Sequence, residues 1–131
     1  MKIREKFWLT PTELYKKLDD EYHFDFDPCP YPKTFDSLNM EWGKMNYVNP
    51  PFRKIDGGVS PFVHKAISES KKGKSSFIVF NVRSTVNLLL EAGAIPRSLG
   101  RVKWLEVETK EPMKSPPCTV GFFLKGVNNE D

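Results

Sequence analysis

Residues 46–52 read Asn46-Tyr47-Val48-Asn49-Pro50-Pro51-Phe52, NYVNPPF. With Met45 in front, MNYV predicts a short strand over residues 45–48. Proline fixes φ and has no backbone N–H, so two prolines in a row can continue neither a central strand nor a helix. The strand must therefore stop at Asn49, leaving an amide side chain and a rigid loop at its carboxyl end. In an open α/β sheet that end is where ligands bind. What lies on either side decides whether this is such a sheet.

Upstream, Thr10-Pro11-Thr12-Glu13 is a helix start, with Thr10 as cap, Pro11 at the first helical position and Glu13 completing a capping box. Leu14, Tyr15, Leu18 and Tyr22 give this helix one apolar face to about residue 21. In HFDFDPCPYP (23–32), Phe24 and Phe26 alternate with Asp25 and Asp27, which predicts a short strand ending at Asp27 and stopped by Pro28, Pro30 and Pro32. The segment 34–42 has no clean period. Downstream, 53–60 reads as a loop with Gly57 and Gly58. Ser60-Pro61 opens a second helix with Phe62, Val63, Ala66 and Ile67 on its apolar face, closed by the lysines of 71–74.

SSFIVFNV (75–82) is nearly continuous apolar sequence, as in a strand buried on both faces. Ser84 is placed to cap a helix through Leu90, with Gly93 near its end. RVKWLEV (101–107) and CTVGFFLK (118–125) read as two late strands joined by a polar, proline-bearing loop, and 127–131 reads as a frayed tail. Strands alternating with helices imply an α/β sheet with helices packed against it. Asp27 and Asn49 then both fall at strand ends, which puts the two most unusual loops on one rim.

The chain has 131 residues, suited to a single domain over 1–131 with one core. Hydrophobic residues make up 39% and charged residues 28%, an ordinary globular composition. No apolar run is long enough to cross a membrane, and the start MKIREKFWLTPTEL lacks the apolar region of a secretory signal. Two cysteines, Cys29 and Cys118, make neither a disulfide framework nor a zinc pattern, and His23 and His64 have no partner at metal-ligand spacing, so no metal is expected. These features together lead us to expect a cytoplasmic protein. The net charge of +3 permits nucleic-acid binding without requiring it. Arg53, Lys54, Arg83, Arg97 and Arg101 are candidate phosphate contacts, with a solvated surface as the alternative.

Asparagine offers one acceptor oxygen and two donor hydrogens, and proline keeps its backbone carbonyl. An Asn oxygen and a neighbouring carbonyl form two fixed acceptors that match the two hydrogens of a planar amino group. On a nucleobase that nitrogen is a poor nucleophile, because its lone pair is delocalised into the ring. Holding both hydrogens out of the ring plane frees the lone pair, and an adjacent aromatic can stack on the ring. This is catalysis by orientation and preorganised electrostatics.

Asn49-Pro50-Pro51-Phe52 resembles the (D/N/S)PP(Y/F) motif of S-adenosylmethionine-dependent amino methyltransferases. Trp8-x-Thr10-Pro11, Phe26-Asp27-Pro28-Cys29, Trp42 before NPPF and GRVKW at 100–104 extend the resemblance to phage-type DNA N6-adenine methyltransferases, over roughly residues 7–125. The resemblance implies an abbreviated Rossmann-like methyltransferase sheet with flanking helices. The implied activity is methyl transfer from S-adenosylmethionine to N6 of adenine in DNA, by direct in-line attack on an extruded base. Asn49 and the Pro50 carbonyl would hold the amino group, Pro51 would shape the loop and Phe52 would stack on the base. Trp8, Thr10, Pro11, Asp27, Pro28 and Asp36 would contact the cofactor, Asp27 near its methionine part. A phage-encoded member would act in the host cytoplasm as a monomer or homodimer.

The chain departs from the wider class in one place. The glycine-rich FxGxG turn after the first strand is replaced by DPCPYP, with no glycine. The short stretch between Asp27 and Asn49 leaves no space for a full set of strand–helix units or a separate target-recognition domain. Sequence specificity would then come from the loops at 53–60 and 108–117, or from dimerisation. The same motif serves exocyclic amines of RNA bases, N4 of cytosine and the glutamine amide. A non-catalytic nucleic-acid-binding module on the same scaffold is a further alternative. For single residues the structural alternatives are a turn-capping role for Asp27, core roles for Trp8 and Trp42, and a packing role for Cys29.

Overall fold

The computed structural model describes residues 8–51, 59–80, 86–114 and 118–127. Six strands are present among these residues: β1 (Trp8–Leu9), β2 (Met45–Val48), β3 (Ser75–Phe80), β4 (Ile95–Arg101), β5 (Leu105–Glu106) and β6 (Cys118–Leu124). Three helices accompany them: α1 (Thr12–Tyr22), α2 (Val59–Ser70) and α3 (Val86–Glu91). The main sheet has the order β2-β3-β6-β4. β2 and β3 run parallel, and β6 is antiparallel to both of its neighbours. β1 and β5 form a separate antiparallel pair, Trp8 opposite Glu106 and Leu9 opposite Leu105.

Side chains on a strand alternate between the two faces, and the sheet uses both. Val48, Ile78, Phe122 and Leu124 point to one side, where Phe62, Val63 and Ala66 of α2 and Leu89 of α3 cover them. Tyr47, Phe77 and Val79 point to the other side and meet Leu18 of α1 together with Val102 and Trp104. The result is a mixed sheet between two helical layers. The Phe77–Val79 run of β3 is apolar on both sides because both faces of the sheet are covered there. Trp42 belongs to this core: it is buried, its indole N–H donates to the Ser37 carbonyl at 2.9 Å and its backbone N–H to Glu69 at 2.8 Å.

β2 and β3 form where the sequence predicts strands, and α3 ends at Gly93 with φ +90°. There the Ala94 N–H returns to the Leu89 carbonyl, closing the helix by a left-handed residue as expected. Four expectations are corrected. Thr10 does not cap α1: Pro11 sits at the cap position with no side-chain hydrogen bond, and the Thr10 hydroxyl bonds the Tyr47 hydroxyl instead. No capping box forms, because the tertiary partner wins the hydroxyl.

The strand expected at 24–27 shrinks to a single parallel bridge, Phe26 to Asn46. The Asp25 carboxylate takes the Lys44 and Met45 N–H groups at 3.2 and 3.0 Å, so a side chain occupies donors a longer ladder would need. Pro28 stops the segment beyond. The strand expected at 101–107 is displaced: β4 occupies Ile95–Arg101, so of the predicted stretch Arg101 ends β4 and Leu105–Glu106 forms the short β5. IPRSLGR has no apolar run because β4 is a largely exposed edge strand, where Pro96 is tolerated. Lastly, the lysines at 71–74 follow α2 rather than closing its last turn. Ser84, the 53–58 loop and 128–131 lie outside the described residues.

Candidate functional site

The parallel bridge between Phe26 and Asn46 aligns the chain at Asp27 with the end of β2. Asp25 N–H donates to the Met45 carbonyl at 2.9 Å and Tyr47 N–H to the Phe26 carbonyl at 3.0 Å. Asp27 and Asn49 thus leave neighbouring parallel segments on the same rim. The β1–β5 pair holds the N-terminal segment above that rim. Between them lies a cavity of about 250 Å³ lined by Trp8, Leu9, Thr10, Tyr15, Asp27, Cys29, Tyr31, Tyr47, Asn49 and Pro50.

The two ends of the Asn49 amide have different fates. Its Nδ2 donates to the Trp8 carbonyl at 2.9 Å. Its Oδ1 is buried and has no hydrogen-bond partner among the described residues. The first bond fixes the amide plane and therefore the direction of the second group. An unsatisfied buried acceptor costs about 1–3 kcal/mol, so a native structure keeps one for a reason.

Asp27 accepts the Cys29 N–H at 2.9 Å, an Asx turn that holds the carboxylate ahead of Pro28. The turn-capping role and a place on the cavity wall are therefore compatible. Burial pushes the Asp27 carboxyl above its usual range, against the lowering effect of that N–H. Tyr47 is fully enclosed in the sheet and its hydroxyl is bonded to Thr10. Burial raises this hydroxyl strongly; the Thr10 bond opposes the shift, and the charge of Asp27 adds to it. Tyr15 is raised by burial, then by Asp19 and Asp27. Its ring meets Tyr47 edge-on, centroids 5.0 Å apart at 87°, so the two tyrosines brace one wall.

Five of the residues anticipated from the sequence come together here: Trp8, Thr10, Asp27, Asn49 and Pro50. Others do not. Pro28, Asp36 and Pro51 line a second cavity of about 10 Å³, space for about one water molecule. Asp36, expected as a cofactor contact, is exposed, accepts a hydrogen bond from the Asn39 side chain at 2.6 Å and does not line the larger cavity. Pro11 starts α1 and does not line the cavity. Phe52, together with Arg53, Lys54 and Arg83, lies outside the described residues. Arg97 is engaged by Glu21 at 2.7 Å and lies over the Tyr22 ring. Among the described residues no group of three or more His, Cys, Asp or Glu is placed to hold a metal.

The sequence did not single out Leu9, Tyr15, Tyr31 or Tyr47 as cavity residues. Tyr47 carried the one available signal, an aromatic hydroxyl inside a short strand beside the NPPF loop. No protein-family model, curated protein or solved structure matches this chain. The chemistry of the cavity therefore has to be argued from its own residues.

Proposed function

We propose that the protein is an S-adenosylmethionine-dependent methyltransferase that modifies an exocyclic amino group, N6 of adenine in DNA. One observation carries this reading: Asn49 Oδ1 is a buried acceptor without a donor among the described residues, on the wall of a ligand-sized cavity, with its direction set by the Nδ2 bond to Trp8. Such an oxygen is complementary to an N–H of a ligand. The following Pro50 is buried on the same wall and would contribute its carbonyl from a rigid backbone. The pair can hold the two hydrogens of an amino group and leave its lone pair exposed.

The cavity also suits the cofactor. Its walls are aromatic, its acid is Asp27, and it opens at the carboxyl ends of parallel strands. Asp27 would hold the cationic methionine end, with Trp8, Thr10 and Tyr15 forming the rest of that wall. When bound, S-adenosylmethionine supplies an electrophilic methyl group. The chain's own part is to orient the amino group, to exclude water and to let the proton leave afterwards, for which no strong base is needed. The helical layers on both sheet faces and the parallel β2 and β3 support an abbreviated Rossmann-like arrangement.

The test is product analysis. The protein is incubated with S-adenosylmethionine and unmethylated DNA, and in parallel with RNA, and digested nucleosides are identified by mass spectrometry. N6-methyladenine in DNA, lost in Asn49→Ala, is the expected result. A methylated RNA base or N4-methylcytosine would move the substrate. No methylated base, with no cofactor binding by calorimetry, would leave a nucleic-acid-binding module.

A further inference from the structure

The direction of Asn49 is only as secure as the carbonyl that holds its amide. That carbonyl belongs to Trp8, in a strand two residues long whose sheet partner is β5. A two-stranded pair is marginal in water by itself, so the place of Trp8 depends on what keeps β5 in shape. Trp8 stands directly opposite Glu106. Glu106 is half-buried, outside the cavity lining, where the chain turns tightly back on itself. Its Oε1 accepts the backbone N–H groups of Glu108 and Thr109, each at 2.8 Å. Its carbonyl accepts the Lys110 N–H at 2.9 Å, and its own N–H donates to the Glu111 carbonyl at 3.0 Å. Beyond the turn, Pro112 bridges to Leu105 and the Met113 N–H donates to the Trp104 carbonyl at 2.7 Å.

The turn has a cost that the carboxylate offsets. Lys110 lies at φ +63°, a left-handed conformation that is unfavourable for a residue with a Cβ. Hydrogen bonds from backbone N–H groups to an ionised oxygen are among the stronger kinds, and here both converge on one atom. Without that acceptor the turn loosens, β5 loses its shape and Trp8 loses its fixed place. The Asn49 amide can then rotate by half a turn about its Cβ–Cγ bond. Rotated, it presents donors where it had presented an acceptor, and a ligand N–H meets another N–H. We propose that Glu106 is a positioning residue for Asn49: its carboxylate staples the turn that shapes β5, β5 holds Trp8, and the Trp8 carbonyl keeps Oδ1 turned towards the ligand. That the ligand is the amino group of a base rests on the methyltransferase reading, whereas the hold on the amide does not.

The experiment compares wild type, Glu106→Ala and Glu106→Gln as intact chains. NMR follows the exchange of the Asn49 side-chain N–H hydrogens with solvent, and the signals of the buried Phe77 and Trp42 rings show that each variant is folded. Methyl transfer to DNA is measured in parallel. Glu106→Ala should speed the Asn49 exchange about tenfold and slow methyl transfer about tenfold, through loss of orientation at the reacting group. Glu106→Gln keeps the acceptor oxygen and should restore both. Unchanged exchange in Glu106→Ala overturns the positioning role. Exchange speeded equally in both variants also overturns it, because the acceptor oxygen is then not what holds the turn. If exchange follows the expected pattern but wild type methylates no base, Glu106 keeps its role and the methyltransferase reading falls. Methylation by wild type with unchanged exchange in Glu106→Ala leaves that reading standing and removes Glu106 from it.

Discussion

Asn49 shows how one side chain can be both anchored and available. Its amide nitrogen is spent on the Trp8 carbonyl, 41 residues away in sequence, and its oxygen is left without a donor among the described residues. Replacing it with alanine removes the acceptor and frees the Trp8 carbonyl at a half-buried position. Asn49→Ala should abolish methyl transfer, a fall of at least about a hundredfold by analogy with loss of one preorganised donor in other sites. The fold should survive, with a stability loss of about 1 kcal/mol. Activity assays and urea denaturation check the two halves of this prediction, and a variant unfolded at room temperature would count against a catalytic role for Asn49. Tyr47 is a subtler case. Tyr47→Phe keeps the ring but removes the hydroxyl that holds Thr10. It should weaken cofactor binding several-fold by calorimetry, through loss of order in the N-terminal wall, and unchanged binding would show that Thr10 needs no such tether.

Among the elements, β6 depends on a residue it does not have. Gly121 lies opposite Val79 in the β3–β6 ladder, and a Cβ there would sit 2.3 Å from the Phe77 ring. Phe77 cannot retreat, because it is fully buried and packs on Tyr22 with centroids 4.8 Å apart. Gly121→Val should destabilise the protein by about 1–3 kcal/mol, the usual cost of overpacking. The urea midpoint should fall with an unchanged slope. An equal or higher midpoint would mean that the sheet has room the geometry does not show. The end of α2 carries a second device. Glu69 is fully buried and accepts the Trp42 N–H at 2.8 Å, with Lys72 at 3.2 Å, Lys65 at 3.4 Å and Lys74 at 3.5 Å around it. Burial works to raise its carboxyl, but the Trp42 N–H and the lysines prevail and bring it to about 2, against an ordinary 4.5.

That shift has a sign for the whole molecule. A carboxyl with a depressed folded pKa contributes stability above its unfolded pKa and loses it as the pH falls through the folded value. The protein should therefore lose stability between about pH 4.5 and pH 2. Glu69→Gln should flatten this decline and lower stability at pH 7 by about 2–3 kcal/mol. Urea midpoints measured across that range decide it; parallel curves for wild type and variant would assign the acid sensitivity elsewhere, with Glu41 beside Lys74 the next carboxylate to test. The overall charge of +3 bears on the proposed substrate. DNA affinity should fall linearly on a log–log plot against salt, by about 0.9 per phosphate contacted. A flat response would argue against DNA as the partner.

The sequence by itself determined the α/β class, the core strands β2 and β3, the end of α3 and the unusual carboxyl end of β2. These follow from local physics: period, proline and glycine act within a few residues of where they stand. It also marked Asp27 and Asn49, because each stands at an expected strand end ahead of a proline that stops the strand. Only the tertiary structure decided which residues close the cavity. The pairing of Trp8–Leu9 with Leu105–Glu106 has no signature in either short segment, and without it Trp8 and Thr10 would not stand over Asn49. The same pairing took the Thr10 hydroxyl from the helix it was placed to cap and gave it to Tyr47. An edge strand such as β4 is equally silent, since with its side chains largely exposed it carries no apolar pattern to read. Contacts between distant segments are fixed by which surfaces remain to be buried once the local elements have formed, and that is a property of the assembled fold.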